Sequence, residues 1–161
     1  LWWILIGLFL YSAARGARRD QEARQVFGGR AIAEFMTPDV EAVPGGFTLD
    51  RFVDERLLGS RHGLYPVEQE GRWMGVVTPD DILRTPREAW PTTTLAQVCQ
   101  PVADVQTASL LEDAAGVMER MARHRVQRMP VVRGGDVVGV VTLQDLLRSL
   151  ELWRRFGRRP T

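Results

Sequence analysis

Gly75–Arg84 reads GVVTPDDILR, and 64 residues further on Gly139–Arg148 reads GVVTLQDLLR, with seven of the ten letters identical. Each copy opens on paired valines of the kind that fill a buried strand, Val76 and Val77 in one, Val140 and Val141 in the other. Each then passes through a threonine into an apolar spacing that suits an amphipathic helix. An aspartate stands three residues beyond each threonine, Asp81 after Thr78 and Asp145 after Thr142. A stretch written twice at a fixed spacing is an internal repeat, and that decides the architecture before any single element does.

The match extends upstream. Tyr65-Pro66-Val67 answers Met129-Pro130-Val131, and Gly71 and Gly75 answer Gly135 and Gly139 at the same spacing. Met36-Thr37-Pro38 aligns with Cys99-Gln100-Pro101 one residue out of step. Arg30–Met36 reads as a short helix stopped by Pro38, and Val40–Val43 as a short strand. Thr48 then caps a helix whose Leu49, Phe52, Val53 and Leu57 share a face. Its counterpart opens on Ser109 and Glu112, a capping-box pattern, and is expected to bury Leu111, Ala114, Ala115 and Met118. After each helix come a strand at the Pro-Val pair, a glycine turn, the returning strand and the second helix. The fold class is therefore α+β, two pseudo-symmetric β-α-β-β-α repeats over residues 31–86 and 94–150. Pro86 and Pro91 mark residues 87–93 as the linker, and residues 151–161 form a basic tail.

Composition narrows the chemistry. A chain of 161 residues with 45% hydrophobic and 25% charged residues is foldable throughout. A net charge of +1 excludes coating of a nucleic acid, which needs a concentrated basic surface. All 21 basic residues are arginine, so lysine nucleophiles and a P-loop lysine are absent. Cys99 stands alone, and His62 and His124 lie in no His-Glu-x-x-His pattern, so neither a disulfide nor a recognisable metal centre is expected.

Residues 1–14, LWWILIGLFLYSAA, are almost wholly apolar. A helix of that length rises about 21 Å, short of the ~30 Å of a bilayer core, so it reads as the end of a transmembrane helix. Arg15, Arg18, Arg19 and Arg24 follow in the basic juncture 15–30 and place what comes after on the cytoplasmic side.

Each Thr-x-x-Asp admits two readings. As a cap, the threonine and the acid three residues on satisfy free amides at a helix start, and Pro79 suits the first helical position. As a binding site, the same geometry offers amides and a hydroxyl to a phosphate and a carboxylate to ribose hydroxyls.

The whole doubled pattern, Pro-Val, turn, Gly-x-x-x-Gly-Val-Val-Thr-x-x-Asp, each preceded by a Met-Thr-Pro-like segment, resembles a pair of CBS (cystathionine β-synthase) domains. The resemblance covers about Ala31 to Leu150. It implies two repeats packed through their sheets, an adenine nucleotide (AMP, ADP or ATP) in the clefts between them, and association into a homodimer. Carried over by motif position, Thr78 and Asp81 serve one cleft, and Thr142 and Asp145 the other. Val40, Asp104, Val105, Tyr65 and Met129 are implied to line the adenine pockets. Cys99-Gln100-Pro101 departs from the expected Met-Thr-Pro.

The apolar start, the arginine juncture and the repeat pair that follows also resemble the carboxyl-terminal part of bacterial intramembrane zinc metalloproteases of the site-two protease family. That family's His-Glu-x-x-His and later Asp have no matching positions here, so the resemblance implies a regulatory end, with zinc and catalysis elsewhere. A ligand-free dimerisation scaffold, or the repeat pair of a transporter or channel, are the alternatives.

Overall fold

The doubled stretch folds twice into the same hairpin. A computed structural model describes residue 27, residues 29–60 and residues 63–156. The apolar opening segment, its arginine cluster and His62 lie outside the described residues, among which no helix is long and apolar enough to cross a membrane.

In chain order the strands are β1 (Thr37–Pro38), β2 (Val43–Pro44), β3 (Tyr65–Gln69), β4 (Arg72–Val77), β5 (Gln100–Pro101), β6 (Ala108–Ser109), β7 (Arg128–Arg133) and β8 (Asp136–Thr142). The helices are α1 (Leu49–Phe52, continued with π spacing over Val53–Leu57), α2 (Pro79–Leu83), α3 (Leu95–Val98), α4 (Ala114–His124) and α5 (Leu143–Phe156). β3 and β4 pair antiparallel with Val67 opposite Gly75, and β7 and β8 repeat this with Val131 opposite Gly139. Both hairpins slip register at the equivalent place, after Val67 and after Val131. Both turns need two consecutive left-handed residues, Glu70 and Gly71 (φ 52° and 73°) and Gly134 and Gly135 (φ 62° and 94°). That is the backbone of a tight hairpin turn, and glycine adopts it without steric cost.

The two sheets are not built from one repeat each. One has the order β2-β3-β4-β5 and the other β1-β8-β7-β6. The segment leading into each repeat thus crosses to the other. β5 pairs antiparallel with β4, and β1 pairs antiparallel with β8. The crossing explains the second glycine of each motif. A β-carbon on Gly75 would stand 1.9 Å from the carbonyl oxygen of Gln100, and one on Gly139 would stand 2.6 Å from that of Thr37. Only glycine lets these leaders lie so close.

The cores follow the same exchange. Val43, Leu49, Phe52, Tyr65, Val67, Val77 and Ile82 pack with Leu95 from the second leader. Ala114, Val117, Met121, Met129, Val131, Val141 and Leu146 pack with Phe27 and Ile32 from the first. Main-chain bonds fasten each leader to its host: Ile32 N–H donates to Glu112 O at 2.8 Å, and Leu95 N–H to Phe47 O at 2.9 Å. Each fully buried leucine or isoleucine contributes about 1.5–3 kcal/mol, so neither half keeps its core without the other's leader. A third cluster, Leu64, Val76 and Val140 with Val40, Trp73 and Val105 against it, joins the two sheets.

Three local expectations change. The helix expected over Arg30–Met36 is a single 3-10 turn, Ile32–Glu34, because the main chain there is held by the start of α4. The strand expected at Val40–Val43 shrinks to Val43–Pro44, with β1 pairing earlier at Thr37–Pro38. Leu111 is 82% exposed, and Leu110 packs on the core in its place. The cause is the cap. Ser109 N–H does donate to Glu112 Oε2 at 3.0 Å, but the helix begins only at Ala114, with Asp113 accepting from Gly116 N–H at 3.1 Å.

Candidate functional site

Each returning strand delivers its threonine to the mouth of a cleft between the repeats. The first is a cavity of about 530 Å³ lined by Thr78, Asp81, Gln100, Asp104, Val105, Arg125 and Arg128, among others. The second, about 330 Å³, is lined by Thr37, Gly63, Leu64, Arg128, Val140, Thr142 and Asp145 with Gln144. The pseudo-symmetry of the fold relates them: Thr78 and Asp81 answer Thr142 and Asp145, and Gln100 of one leader answers Thr37 of the other.

The two aspartates differ in what they hold. In the first cleft Thr78 N–H and its hydroxyl both donate to Asp81 Oδ2, at 2.8 and 2.7 Å. Arg84 Nη1 donates to Asp81 Oδ1 at 3.2 Å, and the Gln100 amide donates to both oxygens at 3.3 and 3.4 Å. Asp81 is 4% exposed, the one buried charged side chain among the described residues. A buried carboxylate is tolerated because it is saturated with donors. In the second cleft Thr142 Oγ1 donates to Asp145 Oδ2 at 2.7 Å and accepts from Asp145 N–H at 3.0 Å. Among the described residues Asp145 Oδ1 has no hydrogen-bond partner, and the side chain is half-buried at the cleft wall. That oxygen is open to a hydroxyl donor.

The remaining expected residues are dispersed. Asp104 and Val105 line the first cleft, with Val105 resting on the cluster between the sheets. Val40 and Tyr65 line a separate cavity of about 340 Å³ beside Glu41 and Arg56. There Arg56 donates to both Glu41 oxygens, at 2.6 and 3.2 Å, and this hydrogen-bonded cation holds the Glu41 carboxyl below its usual value. Tyr65 is buried and sets its ring edge-on to Phe52, 5.0 Å between centroids. Met129 is fully buried and lines none of these cavities; it alternates inward with Val131, its sulfur 3.8 Å from Arg120 Nη2. Burial pushes the Cys99 thiol up and nearby Asp81 adds to this, the setting of a packing residue and not of a nucleophile.

Two participants carry no signal of their own in the sequence, and a third, Arg128, is marked there by its place beside Met129. Gln100 and Arg84 complete the shell of Asp81, and Arg128 reaches both clefts. Gln100 is the departure from Met-Thr-Pro, so its position was visible but its partner was not. No group of three or more metal-ligating side chains occurs among the described residues.

Two pseudo-symmetric sheets with exchanged leaders and a Thr-x-x-Asp at each cleft define a tandem-repeat module. The CBS domain family matches residues 32–88 and again 90–152, and the chain belongs to that family. It is 32% identical over its whole length to Rip3 of Mycobacterium tuberculosis, which carries the name of a zinc metalloprotease. The alignment covers 42% of Rip3, so the chain spans about two fifths of that relative. The CBS domain of a bacterial CNNM/CorC-family Mg2+ transporter, solved with ATP, has the same fold, with a TM-score of 0.69 at 21% identity over 89% of this chain and 99% of that one. The cytosolic domain of the Mg2+ channel MgtE, also in complex with ATP, gives 0.58 at 29% identity over 71% of this chain and 46% of that one.

Proposed function

We propose that the chain is an adenine-nucleotide-sensing regulatory module, with the Thr142–Asp145 cleft as its principal site. The observation that carries this reading is the open Oδ1 of Asp145, on the cleft wall that Arg128 also lines. A ribose hydroxyl donates to that oxygen, while the Arg128 guanidinium receives phosphate. Leu64 and Val140 offer this cleft's apolar wall to the base, while Val40 and Tyr65, and Asp104 and Val105, line the other two cavities. The resemblance to Rip3 supports a membrane-bound zinc metalloprotease as the whole protein, with this module on the cytoplasmic side and the apolar segment 1–14 as its link to the bilayer. Zinc and catalysis belong to that other part. Leu83 and Leu147, equivalent positions on α2 and α5 that are 72% and 49% exposed, support association into a homodimer.

The saturated shell of Asp81 favours a second reading for the first cleft alone, that of a helix cap which binds nothing until Gln100 and Arg84 move aside.

Thermal unfolding of the full chain with AMP, ADP and ATP tests the proposal. A ligand at a hundred times its dissociation constant stabilises by about 2.7 kcal/mol, roughly 5 to 11 °C in midpoint for a chain of this size. The expected result is such a shift with one nucleotide and its loss in Asp145→Ala. No shift with any nucleotide leaves both motifs as caps and the module as a scaffold.

A further inference from the structure

We infer that Arg128 is a phosphate ligand shared by the two clefts, so that a phosphate bound in one weakens the binding of a phosphate in the other. The inference rests on the nucleotide reading above and adds to it a rule for how the sites fill.

Four observations carry it. Arg128 lines both cavities, and so does Leu64, its equivalent in the first repeat. The pair therefore marks the pseudo-twofold position between the clefts, with a cation on one side and a buried leucine on the other. Arg128 stands directly across the hairpin from Thr142, which sets its side chain at the mouth of the second cleft. Its guanidinium lies over Gly63, where a β-carbon would fall 2.3, 2.4 and 2.5 Å from Cζ, Nε and Nη2; the missing side chain is what makes room for it. Finally, it has no hydrogen bond or ion pair among the described residues, unlike Arg84, which is committed to Asp81.

The cation inventory gives the direction. Among its described lining the second cleft has no other cation than Arg128, whereas the first also has Arg125 and, paired to Asp81, Arg84. A planar guanidinium grips one phosphate through paired donors. A second phosphate brought to the other cleft meets a cation already neutralised and oriented away, with a like charge close by. Coupling of this origin acts only on ligands that carry phosphate, and an adenosine without one escapes it.

Calorimetric titration of the full chain with ATP and, separately, with adenosine reads this. The expected result is a gap between first and second dissociation constants at least tenfold wider for ATP than for adenosine. In Arg128→Leu, which places at 128 the residue type found at 64, the first ATP site weakens at least tenfold and the two ligands show the same gap, while adenosine affinity is unchanged. Equal gaps for ATP and adenosine in the unaltered chain, or a single equivalent of each, overturn the sharing and leave the nucleotide reading standing. An ATP affinity indifferent to Arg128→Leu overturns it likewise. If neither ligand binds, both the sharing and the reading it rests on fall.

Discussion

The side-chain amide of Gln100 donates to both carboxylate oxygens of Asp81, at 3.3 and 3.4 Å, and so ties the leader of the second repeat to the helix cap of the first. Asp81 also accepts two bonds from Thr78 and one from Arg84, all while buried. Its removal strands the half-buried Thr78 amide and hydroxyl, while the exposed Gln100 side chain turns to water. Leaving donors unmet away from water costs about 1–3 kcal/mol. Asp145, half-buried and bonded only within its own Thr-x-x-Asp, forfeits about 1 kcal/mol or less as a cap. Urea unfolding of the full chain is expected to rank Asp81→Ala as the more damaging change. The reverse order would refute the assignment of Asp81 to structure and Asp145 to ligand.

The repeated Gly-x-x-x-Gly joins two different demands. Gly71 and Gly135 satisfy a left-handed turn, whereas Gly75 and Gly139 make room for a crossing leader. Gly75→Ala drives a methyl into the main chain of Gln100, with the ideal β-carbon 1.9 Å from its oxygen, and main chain cannot step aside as a side chain can. At Gly139 the corresponding clash with Thr37 O is 2.6 Å. Overpacking of this kind costs about 1–3 kcal/mol and sometimes more. Both alanine variants are expected to lower the urea midpoint, with Gly75→Ala the worse. An unchanged midpoint in either would mean that the leader does not occupy that edge of the sheet.

These two glycines also show where sequence reasoning reached and where it stopped. The doubled GVVT stretch made the hairpins, the turn glycines and the helix starts legible, since each rests on local spacing. The exchange of leaders was not legible. Thr37–Pro38 and Gln100–Pro101 are two-residue strands with no periodicity, and their partners lie in the other repeat. Counting from Ser109 places Leu111 inward, whereas the extra turn before Asp113 shifts the helical phase so that Leu110 takes the core. Within the clefts the motif located Thr78, Asp81, Thr142 and Asp145. What separates the two aspartates is the residue brought by the crossing leader, Gln100 against Thr37, which no pattern within one repeat contains.

Glu112 supplies a pH-dependent brace at the start of α4. Burial pushes its carboxyl up, but hydrogen bonds from Arg120 and from Ser109 N–H, with the charge of Arg120, outweigh this and hold it below the usual 4.5. Arg120 Nη2 donates to Glu112 Oε2 at 3.1 Å and to Thr107 O at 2.8 Å, so the ion pair also fixes the loop before β6. A carboxyl depressed in the folded state contributes stability that is fully present above the unfolded value and is lost as pH falls through the folded one. Stability is therefore expected to hold above about pH 4.5 and to decline below it. Glu112→Gln should be less stable near neutrality and show a shallower decline on acidification in urea midpoints measured from pH 7 to 3. Parallel curves for the two proteins would remove Glu112 from the acid response.

Leu83 on α2 and Leu147 on α5 occupy the same place in the two repeats, and both face outward, 72% and 49% exposed. A large apolar side chain left in water once in a chain is ordinary; the same position left apolar and exposed in both copies of a repeat is a patterned surface. Each sits one turn beyond its Thr-x-x-Asp, so a partner covering these leucines would lie against the helices whose starts line the clefts. Burying both on each of two chains removes apolar area at the centre of the contact, and association is expected to be lost when charge is placed there. Light scattering of the full chain should give a dimer, and Leu83→Glu with Leu147→Glu a monomer that still unfolds cooperatively at a midpoint independent of protein concentration, because neither side chain belongs to a core cluster. A dimer that survives the double change puts the contact on another face, and a monomer at the outset removes the homodimer.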